Sequence, residues 1–88
     1  MELPIASRTV LDERGSPRRY HYSLLVEPVE AEGFFWENYG VGVREENGAC
    51  TRIPGITASA VRIDELMSLL VEHKVGPTTL HDVVEDWL

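Results

Sequence analysis

The stretch YGVGVREENGACTRI, residues 39–53, contains the turn whose register decides the fold. Asn47-Gly48 invites a two-residue type I′ hairpin. That register would set Val43 against Arg52 and Gly42 against Ile53, mixing apolar and charged positions. A three-residue loop, Glu46-Asn47-Gly48 with Gly48 in the left-handed conformation, instead pairs Val43 with Thr51 and Val41 with Ile53. It keeps the apolar residues on one face, which a one-residue slip would expose. The three-residue turn is therefore the expected one.

Upstream, SRTVLDE (7–13) and RRYHYSLLVE (18–27) flank RGSP, where Gly15 and Pro17 mark a turn. In the second run Tyr20, Tyr22, Leu24 and Val26 alternate with Arg19, His21, Ser23 and Glu27, the period of a half-buried strand. EPVEAEG (27–33), polar and interrupted by Pro28, reads as a loop.

Downstream the period becomes helical. Ala60, Ile63, Leu66, Met67, Leu70 and Val71 recur at three-four spacing, with Thr57 or Ser59 as N-cap and Gly76 as a left-handed C-terminal residue. Leu69 lies off this stripe and is expected to touch another element. In PTTLHDVVEDWL (77–88) the residues Leu80, Val83, Val84, Trp87 and Leu88 form a second stripe. Thr79 and Asp82 have the spacing of a capping box, and Asp82 has the sign that the helix dipole favours there. So short a helix is not stable alone and must dock, with Trp87 and Leu88 implying a docked end.

These readings give an α+β domain over residues 1–88. It has an antiparallel sheet of three or four strands over about 7–53, and two helices, about 58–75 and 79–88, packed on one face. The helices are expected to send Ile63, Leu66, Met67, Leu70, Leu80, Val83, Val84 and Trp87 to the core. The sheet is expected to send Tyr20, Tyr22, Leu24, Val26, Val41, Val43 and Ile53.

Composition narrows the function. Fifteen acids against eight Lys and Arg leave a net charge of −7, which disfavours a phosphate backbone as partner. One cysteine excludes an internal disulfide. The longest apolar runs, such as Leu24–Val26 and Phe34–Trp36, are far too short to span a membrane. MELPIASRT shows no secretory pattern, so the cytoplasm is the expected compartment. Gly40 and Gly42 lie in a strand pattern, without the helix start or Lys of a phosphate loop. Cys50 has no histidine placed near it by the sequence and reads as an inert thiol. In RRYHY (18–22) parity sends the tyrosines inward and Arg19 and His21 outward, so this is not read as a nucleic-acid surface. The expectation is a non-enzymatic module with no cofactor.

Two candidate sites remain. His81, Asp82 and Glu85, one turn apart on the last helix, could share a metal, but such a set lacks the fourth ligand that defines a zinc site. The reading preferred for them, and for His73, is a solvated helix face. The other site is GFFWE (33–37). Extending parity back from Val43, Val41 and Tyr39 places Phe34, Trp36, Gly40 and Gly42 on the face away from the helices, with Leu25 and Cys50. Bare glycines beside aromatics make an apolar surface suited to a homodimer or protein partner, through Phe34, Phe35, Trp36, Gly40, Gly42 and Leu25. A bulge near Glu37-Asn38 would instead turn these rings into the core.

The order HYSLLVE (21–27), YGVGV (39–43) and ITASAVRIDELMSLLVEHKVGPTTLHDVVEDWL (56–88) resembles a family of short bacterial proteins that carries only a domain-of-unknown-function label. The likeness runs from about Tyr20 onward. Its most specific part is Val75, two residues before Pro77, followed by Leu80-x-Asp-Val-Val-Glu-Asp. A histidine often precedes that leucine in the family, where this chain has Thr79, so no role for it carries over. His81 does not fall at a fixed family position. The resemblance implies a small α+β protein and assigns no ligand or catalytic residue.

Overall fold

The computed structural model describes residues 1–88. Four strands form one antiparallel sheet in the order β1-β2-β3-β4: β1 (Glu2–Leu11), β2 (Pro17–Ala31), β3 (Phe34–Glu45) and β4 (Cys50–Thr57). Helices α1 (Ala60–Glu72) and α2 (Leu80–Trp87) follow. The α+β class, with a four-stranded antiparallel sheet and two C-terminal helices, is the one expected.

The deciding hairpin has the expected register, with Val43 opposite Thr51 and Val41 opposite Ile53. Its left-handed residue differs. Asn47 takes φ 61°, and the Gly48 N–H donates to Glu45 O at 3.0 Å. This is the pattern of a type II turn, whose third residue needs positive φ and accepts Asn.

The largest departure from expectation lies at residues 27–33. EPVEAEG is not a loop: β2 runs through it to Ala31 and reverses at Glu32 (φ 52°) and Gly33 (φ 82°). Two successive left-handed residues are what a type I′ hairpin requires. Pro28 is tolerated for a positional reason. The Val26 N–H donates to Met1 O at 2.8 Å, so the nitrogen two residues on faces the same side, where β1 has already ended. A missing N–H there removes no ladder bond. Strand β1 begins at Glu2 and β4 ends at Thr57, both beyond the expected limits of 7 and 53.

The core lies between the sheet and the helices. Tyr22, Val41 and Val43 from the sheet meet Ile63, Leu66, Met67, Leu70, Leu80 and Val84 from the helices, and Leu69 and Trp87 pack at its margin. Leu88, expected to dock, is exposed, while Trp87 sits under the Arg62 guanidinium at 4.4 Å. Ser59 caps α1 by accepting from the Arg62 N–H. At the other end Lys74 (φ 52°), not Gly76, is the left-handed residue. The Lys74 and Val75 N–H groups donate to Val71 O and Leu70 O, the two bonds of a Schellman motif. Gly76 serves packing instead, because a Cβ there would stand 3.0 Å from the Tyr20 hydroxyl. Thr79 does not form the expected capping box. It is already in the helical region, and its hydroxyl donates backward to Gly76 O.

Tyr22 ties the inter-helix turn to the sheet: its hydroxyl donates to Val75 O at 2.9 Å. Burial raises its pKa to about 12 from 10.0. The folded state thus holds the phenol proton more tightly than the unfolded chain. This contribution is complete below pH 10 and is lost as pH rises through 12. Alkaline titration followed by ultraviolet absorbance should show Tyr22 ionising late, with loss of helix signal over the same range. A Tyr22→Phe chain should lack that late step.

Candidate functional site

Beyond Val26 and Tyr39 the β2–β3 pair has no lateral neighbours. Glu2 is the last β1 residue in register, opposite Leu25, and β4 ends with Thr57 opposite Tyr39. Residues 27–38 therefore form a bare two-stranded ribbon at one end of a molecule 54 Å long. Register from Tyr20–Glu45 to Ala31–Phe34 is unbroken, so no bulge at Glu37-Asn38 turns the rings inward. Phe34 is 71% exposed, Phe35 76% and Trp36 41%.

Parity along the ribbon separates its two faces. Ala31 opposes Phe34 and Val29 opposes Trp36, giving an apolar strip on the side away from the helices. Glu30 opposes Phe35 and Pro28 opposes Glu37 on the other side. Phe35 thus belongs to the acidic face and not to the strip with Phe34 and Trp36. The Trp36 indole N–H donates to Asn38 Oδ1 at 3.2 Å, which holds the ring along the strand.

The remaining predicted contact residues lie elsewhere. Gly40 is buried beneath a bulge of β4, where Pro54, Gly55 and Ile56 all fall opposite this one residue. A Cβ at Gly40 would lie 2.2 Å from Ile53 O. Gly42 is covered by Arg52, whose Cγ stands 3.5 Å from the place of a Cβ, and by Leu25 at 3.8 Å. The two glycines are therefore not bare surface: one receives a backbone and the other an arginine stem. Leu25 is half-buried beside them. On α2, His81, Asp82 and Glu85 are exposed, and no three histidine, cysteine or carboxylate side chains gather as a group able to hold a metal ion. Cys50 is exposed, opposite Arg44.

The sequence did not announce a polar cluster on the helix-free face. Ser7, His21 and Arg44 stand in one row across β1, β2 and β3. Ser7 Oγ lies 2.8 Å from His21 Nδ1, and His21 Nε2 lies 3.2 Å from Glu46 Oε2. The outward parity of His21 was readable, but its partners depend on the β1–β2 register, for which the turn chemistry gave no unique answer.

No helix is long and apolar enough to cross a membrane. No curated protein and no solved structure matches the chain. One family model does, along residues 1–88, and by that match the chain belongs to the family of unknown function DUF6514.

Proposed function

We propose that this protein is a non-enzymatic interaction module that self-associates through the apolar strip of its ribbon. The observation that carries this reading is the pairing of Val29 with Trp36 and Ala31 with Phe34 on one face of an unsupported ribbon. A two-stranded hairpin is marginal by itself and gains from a second layer. Two copies related by a two-fold axis bring these strips together, while Glu30 and Glu37 stay on the outer faces of the pair. Rings of this kind offer roughly 150–250 Å² each when fully exposed, and Trp36 keeps only 41% of its surface open, so four of them bury far less than the roughly 1,200–2,000 Å² of a stable complex. The association is therefore concentration-dependent and not obligate.

Light scattering across a wide concentration range should show a mass that climbs from monomer toward dimer. The double substitution Phe34→Ser with Trp36→Ser should hold the chain at monomer mass and, in dilute solution where the parent is also monomeric, leave the melting midpoint unchanged, since both rings lie outside the core. A midpoint lowered by several degrees in dilute solution would show the rings to be structural. An unchanged association curve would place the contact elsewhere.

A further inference from the structure

The helix-free face of the sheet carries chemistry that the ribbon does not use. Next to the row Ser7–His21–Arg44 is a second row, in which Ser23 opposes Gly42 and Gly42 opposes Arg52. With no side chain at 42, the Arg52 stem lies across β3, and its Nε and Nη2 reach Glu2 Oε1 at 3.0 and 2.9 Å. The rest of that guanidinium fork is free. Arg44 has no carboxylate partner at all. Ser7, His21, Ser23, Arg44 and Arg52 border a shallow concavity of about 550 Å³, which Glu2, paired to Arg52, also lines. On a chain of net charge −7, cations and hydroxyl donors converge here from all four strands.

His21 sets what the Ser7 hydroxyl can do. Ionised Glu46 can only accept, so it takes the His21 Nε2–H. In the neutral ring Nδ1 is then an acceptor, and the Ser7 proton is spent on it. In the protonated ring Nδ1–H donates to Ser7 Oγ, and the hydroxyl proton is free for a ligand. The charged groups around His21 are Arg44 from β3 and Glu46 from the β3–β4 turn, with Arg19 3.9 Å from the same Glu46 oxygen. Ser7 faces it from β1, and both helices lie on the far side of the sheet.

We infer that this concavity binds a small tetrahedral oxyanion of the phosphate or phosphomonoester class. Arg44 supplies the net charge, Arg52 the guanidinium donors that Glu2 leaves free, and the Ser23 hydroxyl donates from between them. Donors arriving from several strands suit a tetrahedral ligand better than a flat carboxylate, which is best held by a single fork.

The test is calorimetric titration of the full chain with sodium sulfate at constant ionic strength. Binding should saturate. Arg44→Gln should weaken it about tenfold, the worth of one charge-assisted hydrogen bond. Arg14→Gln, in the β1–β2 turn, removes the same net charge and should leave the affinity unchanged. Glycerol phosphate, titrated in parallel, separates a phosphomonoester site from one for the free ion. Failure of sulfate to saturate, or equal weakening by Arg14→Gln and Arg44→Gln, would overturn the assignment. The ribbon variant Phe34→Ser with Trp36→Ser should bind sulfate normally, so this site and the association surface stand or fall separately.

Discussion

Alanine at Gly40 is expected to cost about 3 kcal/mol or more, because the new methyl group meets backbone. The added Cβ would lie 2.2 Å from Ile53 O and 2.6 Å from Pro54 Cα. A flexible side chain could move aside, whereas a strand cannot without giving up pairing. The bulge of β4 is fixed on one side by Val41–Ile53 and on the other by Tyr39–Thr57, with Gly55 at φ 63° between them. Displacing it pulls Thr57 away from the start of α1, where its hydroxyl accepts from the Ser59 N–H. Gly42 is the internal comparison. Its Cβ would meet Arg52 Cγ at 3.5 Å and Leu25 Cδ2 and Thr51 O at 3.8 Å, all ordinary contact. Urea unfolding should therefore shift its midpoint strongly for Gly40→Ala and little for Gly42→Ala, with similar slopes. Equal midpoints would mean that β4 slides freely over β3.

Leu66→Ala has the other large expected effect, a loss of about 2–5 kcal/mol. Leu66 is fully buried at the centre of the contact between α1 and the sheet. Its removal leaves a cavity between two rigid layers that cannot collapse onto it. A domain whose total stability is about 5–15 kcal/mol loses a large share of it in one step. Val61, 69% exposed on the same helix, is the control, and Val61→Ala should stay within about 0.5 kcal/mol of the parent. Circular dichroism during denaturation reads both. Comparable losses at the two positions would contradict the placement of the α1 stripe.

Much of this architecture was legible in residue order. The α1 and α2 stripes, the alternation of Tyr20, Tyr22, Leu24 and Val26, and the Val43–Thr51 register each follow from one period matched to one buried face. The failures have physical causes as well. Pro28 reads as a strand breaker unless the end of β1 is known, because its tolerance depends on where a neighbour stops. Glu32-Gly33 makes a tight turn with a Glu in the left-handed region, which few sequences place there. Gly76 looked like a helix terminator, but the terminator is Lys74, and Gly76 is small to admit the Tyr20 ring. The site was only half legible. Parity placed Phe34 and Trp36 outside the core, yet it also took Gly40 and Gly42 for open surface. The bulge of β4 and the long reach of Arg52, which cover them, leave no local signature. The Ser7–His21–Arg44 row needs three strands in register before it exists at all.

Amide hydrogen exchange along residues 27–38, compared in dilute and concentrated solution, decides whether the ribbon is the contact. An unsupported ribbon opens easily and exchanges fast. Self-association through the Phe34–Trp36 strip predicts fast exchange at low concentration and marked slowing at high concentration, confined to this segment. Equally fast exchange at both concentrations, or new protection on another element, would contradict it.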